Sequence, residues 1–289
     1  MGKRKQRMYL FYVPAVLVMA VFVIRPFLET LYISLCQWNG YSSVKTFVGI
    51  KNYVDIFSDG RFGTAFFNTL IYGFMSTLLQ NIIGLCGAFF VNTRFRGNGV
   101  VRVVMYLPIM ISGLIMGYIM YFFFTFDRGI LNEILGWFGR KPTNWLADGK
   151  TGVGAITLIN SWQYAGNCLI IYLAGLQNIP KVYLEAAAID GASRWQRFRK
   201  ISLPMLTPAI TTSVIVNLIG GLKLFDPIIS LTNGGPNYQT HSLMTYLNSQ
   251  YFLKEKAGYA SAIGIVTFLL IMAVAALANK YFEKEMIDT

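Results

Sequence analysis

Apolar residues in this chain come in long unbroken runs separated by short polar stretches. Six runs can be drawn, roughly Met8 to Leu35, Phe66 to Val91, Val100 to Phe126, Gly152 to Leu176, Pro208 to Ile229 and Gly258 to Lys280. Each approaches or exceeds the ~20 residues a helix needs to cross ~30 Å of hydrocarbon. In lipid every backbone N–H and C=O must be satisfied within its own segment or in a closed barrel, and runs this continuous lack the alternation of barrel strands. The pattern predicts an all-α integral membrane protein of about six transmembrane helices, forming one transmembrane domain over residues 1–289.

Composition sharpens this. The chain is 55% hydrophobic and only 13% charged, whereas about a quarter of residues are charged in an ordinary globular domain. A net charge of +12 raises the question of nucleic acid, but the basic residues flank the runs and form no separate basic domain. With the N-terminus in the cytoplasm, 14 of the 25 Lys and Arg residues fall inside, among them Lys3, Arg4, Lys5, Arg7, Arg94 and Lys284, against 10 outside. That excess follows the positive-inside rule and places both termini on the cytoplasmic side of a cell membrane. The basic start followed by an apolar run also fits a signal peptide, although the run is long and lacks an Ala-x-Ala cleavage pattern. Cys36, Cys86 and Cys168 show no paired spacing, and His241 is the only histidine, which excludes a His-based metal cluster. There is no Gly-x-x-x-x-Gly-Lys-Ser/Thr sequence, so this chain does not cradle ATP phosphates by that route.

The segment from about Gln177 to Thr207 lies between the fourth and fifth runs, on the cytoplasmic side by the same count, and is too long for a simple turn. It reads as two short helices. Pro180 suits the start of the first, which runs to Asp190, with Gly191 as its left-handed cap. Ser193 and Gln196 form a capping box for the second. Val182, Ala186 and Ile189 share one side of the first helix, and Trp195, Phe198 and Ile201 one side of the second. Two readings are open on these residues. Glu185 beside Ala186, Ala187 and Ala188 permits close approach of a partner protein and a charged hydrogen bond to it. Alternatively, Arg194, Arg197, Arg199 and Lys200 make this an amphipathic segment lying on lipid phosphates.

Glu185-Ala186-Ala187, Asp190-Gly191-Ala192, Phe198, Ile201 and Leu203-Pro204 resemble the complete EAA loop of ABC importer membrane subunits. The resemblance implies a coupling helix gripped by a separate ATPase, with Glu185 as the anchoring charge and Gly191 as the turn. Phe47-Val48-Gly49-Ile50-Lys51-Asn52-Tyr53, Phe57 and Asn68-Thr69 are similar to the first outer loop of sugar permeases of the maltose and glycerol-phosphate type. Leu231-Thr232-Asn233-Gly234-Gly235-Pro236, with Thr240, Leu243 and Tyr246, is similar to their last outer loop. Membership would imply a second homologous permease subunit, two ATPase subunits binding ATP and Mg, an extracytoplasmic solute-binding protein and a carbohydrate cargo, with no enzyme activity or cofactor in this chain.

Polar side chains within spans face the bundle interior or a water-filled path by default. Asn160, Gln163, Tyr164 and Asn167 recur at three- and four-residue intervals and can line one face of the fourth span; amides and ring faces suit a neutral sugar, and interhelical bonding is the alternative use. In the fifth span, Thr207 caps and Pro208 begins the helix, which puts Asn217 ~13 Å along, near the bilayer midplane. Lys223 and Asp226 are spaced to pair with each other before Pro227 breaks the helix, and Arg25 and Glu29 repeat that pattern in the first span. A secondary transporter would more naturally carry ionisable residues near the midplane, and an intramembrane enzyme would carry a nucleophile and base. Neither is evident. An importer for an amino acid, polyamine or ion is the alternative within the class.

Overall fold

The computed structural model describes residues 12–93 and 95–287. Met8 to Phe11 of the first run, and Lys3, Arg4, Lys5, Arg7 and Arg94, lie outside the described residues, as does the side chain of Lys284.

The order of elements is as follows. Helix α1 (Tyr12–Ser34), with a π turn at Ala20–Ile24, leads into a small antiparallel pair, β1 (Cys36–Gln37) and β2 (Thr46–Phe47). Then come α2 (Lys51–Ser58), α3 (Gly60–Asn92), α4 (Asn98–Met110), α5 (Gly113–Phe124), α6 (Ile130–Trp137) and α7 (Gly149–Gln177). After these lie α8 (Lys181–Ile189), α9 (Arg194–Met205), α10 (Thr207–Leu222), α11 (Asp226–Leu231), α12 (Leu243–Asn248) and α13 (Ala257–Ile287). Contacts divide the chain into two units, one formed by residues up to Phe62 together with Leu247–Leu269, the other by Gly63–Tyr246 with the residues from Leu270.

In the first unit the Asn52 side chain holds the hairpin in place, its amide donating to Ser34 O at 2.8 Å and Cys36 O at 2.9 Å. Ser34 and Tyr53 hydroxyls meet at 2.7 Å, and Gly258 N donates to Trp38 O at 3.1 Å. These bonds give Asn52 and Tyr53 of the similar outer-loop sequence a structural use. Arg25 Nε donates to Glu29 Oε1 at 3.1 Å, the spacing expected of that pair, and both side chains are exposed.

The second unit is built around α7. Of its 29 residues, 17 are buried, which makes it the central helix of the unit. Asp148 caps its start by accepting from Thr151 N at 3.4 Å. One apolar cluster joins Met116, Ile156, Ile159, Ile228 and Leu231; a second joins Ala88, Leu169, Tyr172, Leu173 and Leu206. Burial of a large side chain in such clusters contributes about 1.5–3 kcal/mol. Glycines bring backbones together: Gly84 lies so close to α7 that a methyl there would stand 2.9 Å from Leu169 N, and one on Gly221 would stand 2.7 Å from Tyr72 O. Small residues at helix contacts are what membrane bundles use in place of a hydrophobic driving force.

Three helices among the described residues are long and apolar enough to cross a membrane, namely Tyr12–Ser34, Gly60–Asn92 and Ala257–Phe282, and up to five spans result if each of two bent pairs is one. The third expected run is not straight, because α4 and α5 meet at 102°. Pro108 forces a 3-10 turn, Ile111 is extended, and Ser112 caps α5 by accepting from Ile115 N. The fourth run is the 29-residue α7, about 43 Å long; it is not among the strongly apolar helices because Asn160, Ser161, Gln163 and Asn167 sit within it. The fifth run also departs from a single span: α10 ends at Leu222, and Pro227 lies in the first turn of a new helix, α11, instead of breaking the old one. Thr207 does not cap α10; its hydroxyl donates to Pro204 O at 2.7 Å and the helix begins from Leu206.

Gly166 gives a direct test of this packing. A methyl on it would overlap Met105 O and lie 2.8 Å from Tyr106 Cα, whereas a methyl on Gly154 would meet nothing within 4 Å. Gly166→Ala is expected to destabilise the bundle by about 1–3 kcal/mol and lower the thermal midpoint of the detergent-solubilised subunit by roughly 5 °C. Gly154→Ala should leave that midpoint unchanged. Equal midpoints for the two variants would contradict the α4–α7 contact.

Candidate functional site

A cavity of about 320 Å³ opens among α3, α5, α7, α10 and α11, within the size range of small-molecule sites. Helical spacing decides which α7 residues reach it. Asn160, Tyr164 and Asn167 line it, while Gln163 does not: its Nε2 donates to Ile111 O at 2.9 Å and ties α7 to the bend between α4 and α5. Asn160 is buried and donates to Ser76 Oγ at 3.0 Å. Asn167 and Tyr164 are half-buried, and among the described residues the Asn167 amide has no hydrogen-bond partner. From α10 comes Asn217, whose Nδ2 donates to Ser213 O at 2.7 Å and approaches Cys168 Sγ at 3.2 Å.

Sequence reasoning missed Gln80. It lies on α3 and lines the cavity, with Nε2 donating to Asn160 O at 3.1 Å and a buried Oε1 that has no partner among the described residues. A signal was present, since Ser76, Thr77, Gln80 and Asn81 recur at three- and four-residue intervals within an apolar run, the pattern used to pick out α7. The polar seam continues away from the cavity: Asn81 Oδ1 accepts from Ser213 Oγ at 2.7 Å and from the Tyr172 hydroxyl.

Lys223 and Asp226 both line the cavity but form no ion pair with each other. Each charge is instead met by a helix end. Lys223 is the C-cap of α10, where free carbonyls carry partial negative charge. Asp226 sits against the first residue of α5, so close that a methyl on Gly113 would stand 3.1 Å from Asp226 Oδ2, and it lies in the first turn of α11, where free N–H groups carry partial positive charge.

The wall formed by α11 is fixed through the loop that follows it. Asn68 Nδ2 donates to Gln239 O at 2.7 Å and His241 O at 3.1 Å, and the Tyr72 hydroxyl donates to Thr240 O at 2.9 Å. Leu243 N donates to Thr69 Oγ1 at 2.8 Å, and Thr240 Oγ1 donates to Gly235 O at 2.7 Å. The Asn68-Thr69 and Gly234-Gly235-Pro236 sequences therefore meet in one clasp.

A second recess, about 390 Å³, lies between α8 and α9 and is lined by Tyr183, Ala186, Ala187, Asp190, Ile201 and Pro204, among others. Glu185, Gly191 and Leu203 do not line it. Gly191, at φ +79°, closes α8: Ala192 N donates to Ala187 O at 2.9 Å and Gly191 N to Ala188 O at 3.2 Å, the two bonds of a Schellman cap. The Ser193–Gln196 capping box is formed in both directions, at 3.2 and 2.7 Å. Glu185 is exposed and has no partner among the described residues, and Val182 and Ile189 are 70% and 87% exposed, so this helix presents apolar surface that the described residues leave uncovered.

Residues 80–288 match the family described as binding-protein-dependent transport system inner membrane component. The chain is 36% identical, over 92% of its length and 90% of the relative's, to a trehalose/maltose transport system permease protein of Thermococcus litoralis. It is 33% identical, over 95% of both chains, to a probable ABC transporter permease protein of Bacillus subtilis. Among solved structures it superimposes with a TM-score of 0.83 and 25% identity on a bacterial alginate ABC transporter in complex with an alginate pentasaccharide-bound periplasmic protein, covering 96% of this chain and 94% of that one. With several apolar helices and a match across most of its length, the chain is a multi-pass membrane protein and belongs to the binding-protein-dependent transport system inner membrane component family.

Proposed function

We propose that this chain is one of two permease subunits of an ATP-driven importer for a sugar or oligosaccharide, acting as a single transmembrane domain. In this reading α1, α3, the bent α4–α5 pair, α7, α10 and α13 are six crossings, both termini are cytoplasmic, and α8–α9 is the coupling loop. An extracytoplasmic solute-binding protein delivers the cargo, and two ATPase subunits holding ATP and Mg grip Glu185, Ala186, Ala187, Asp190 and Gly191, with Ile201, Leu203 and Pro204 behind them. The observation that carries this is α8 itself: a capped helix held in a fixed corner, with small side chains, a free carboxylate and apolar surface left uncovered. Such a face suits a protein partner. The trehalose/maltose and alginate proteins it is similar to support a carbohydrate cargo.

The solute path is the cavity of Asn160, Tyr164, Asn167 and Asn217, with Gln80 added. Gln163 stands behind it and fixes the wall. Neutral amides and one tyrosine ring offer donors, acceptors and a stacking face to hydroxyls and C–H surface. Closure of the ATPases moves the loop, and through it the walls of the path; coupling of this kind is reciprocal, so a loaded binding protein outside raises ATP hydrolysis inside.

Two measurements test this. Glu185→Ala removes one charged hydrogen bond, ~1.5–3 kcal/mol, and should weaken ATPase retention in a detergent pull-down roughly tenfold or more. With Gly191→Pro it should abolish uptake of a sugar first identified by thermal-shift screening of the binding protein, while both subunits still insert; normal uptake by both would refute the coupling role. Asn167→Leu leaves no buried protein group unpaired, so the complex should assemble and its binding-protein-stimulated ATPase persist, while uptake falls about threefold to tenfold. Unchanged uptake would remove Asn167 from the path.

A further inference from the structure

Of the cations of α9, Lys200 lines the recess between α8 and α9, whereas Arg194 and Arg199 do not. Arg194, Arg199 and the Trp195 ring are exposed, Trp195 at 65%. Arg197 is spent locally, with Nη1 reaching Leu184 O at 3.5 Å across the corner. Trp195 and Arg199 are four residues apart and share one side of the segment. Two further facts fix where this side lies relative to a bilayer. The Trp195 ring packs on Phe198 at 5.2 Å, and Phe198 packs edge-on against Phe89 at 4.6 Å. Phe89 lies in the last turn of α3, a helix apolar enough to span, so Trp195 packs near the end of that helix through Phe198. At the other end, α9 runs almost directly into α10, bent 65° from its axis. With α10 near the membrane normal, α9 lies closer to the membrane plane than to the normal.

An aromatic ring at the end of a span, flanked by guanidinium groups on a segment lying along the surface, is the arrangement that interfacial anchors use. We propose that Arg194, Trp195 and Arg199 bind the phosphates of anionic lipid in the adjoining leaflet, and that this anchor keeps α9 at the membrane surface as α8 moves with the ATPase. The leaflet is the cytoplasmic one, a point that rests on the topology proposed above. Guanidinium groups meet lipid phosphate in bidentate fashion, and each cation near an anionic surface strengthens partitioning about fivefold.

The test uses the assembled transporter in nanodiscs of phosphatidylcholine alone or with roughly one third phosphatidylglycerol, a fraction that gives a strongly negative surface. Phosphatidylglycerol retained per complex is counted by native mass spectrometry, and ATPase rate is measured in both lipids. The wild type should retain phosphatidylglycerol and hydrolyse ATP at least about threefold faster with it, a difference that high salt screens. Arg194→Gln with Arg199→Gln should lower retention more than tenfold and erase the rate difference, and the corresponding pair of lysine substitutions should restore both. A wild type indifferent to phosphatidylglycerol, or a glutamine variant that retains it as the wild type does, overturns the proposal. Loss of the ATPase subunit from the glutamine variant with lipid retention unchanged would assign these cations to protein docking instead, and also overturns it. Absence of an ATPase from the wild-type preparation would count against the importer reading, while lipid retention would still decide the anchor.

Discussion

The structure depends on the rule that polar groups withdrawn from water must find partners inside the protein. Nowhere does that rule act more visibly than along the seam of α3, α7 and α10, where Gln80 donates to Asn160 O, Asn160 to Ser76, and Ser213 to Asn81. Each bond contributes on the order of 1 kcal/mol net, but leaving any of these groups unpaired would cost about 1–3 kcal/mol. Glycines at positions 84 and 221 are what let the helices come near enough for short side chains to reach across. The same rule locates the cavity. Where the seam opens, the Asn167 amide and the Gln80 oxygen are left without partners among the described residues, which is tolerable only where water or a solute supplies the missing bonds.

The charges at the edge of the cavity follow the same logic by another route. Lys223 and Asp226 could pair at their spacing, yet the chain breaks between them and gives each a helix end. A helix terminus contributes about 0.3–1 kcal/mol to a suitably signed charge and more where it is partly buried. The arrangement leaves both side chains able to reorient without breaking an ion pair. It also makes the break at 223–225 stable, because α11 is held by the clasp of Asn68, Tyr72 and Thr240 as well as by its packing on Gly113 and Gly117.

Much of this was legible in the sequence, and the reasons are local ones. Run length marked the helical segments, the Ser193–Gln196 box and Gly191 marked the corner of α8 and α9, and three- and four-residue spacing marked Asn160, Tyr164 and Asn167. What failed to show was geometry set by distant partners. Gln163 shares a spacing with the cavity residues, but its partner is Ile111 on another helix, so periodicity alone could not remove it from the list. The third run reads as one continuous span from Val100 to Phe126, and the 102° bend within it is completed by partners of Ser112 and Gln163 that periodicity does not show. Thr207 has the composition of a cap but donates to Pro204 because the preceding turn is already helical. Gln80 has a readable signal in its polar neighbours, masked by the apolar character of the second run as a whole.

The corner between α8 and α9 separates two kinds of surface that the bare sequence left as rivals. Its first helix shows alanines, a free carboxylate and exposed Val182 and Ile189, features that a protein cleft can grip and a charged lipid surface would not favour. Its second helix is tied by Phe198 to Phe89 of α3 and continues into α10, and its exposed side carries guanidinium groups and an indole. Gly191 closes α8 with its own backbone bonds, the Ser193–Gln196 box opens α9, and Arg197 reaches across the corner to Leu184 O; α9 then continues at a 65° bend into α10, the helix that carries Asn217 of the cavity wall.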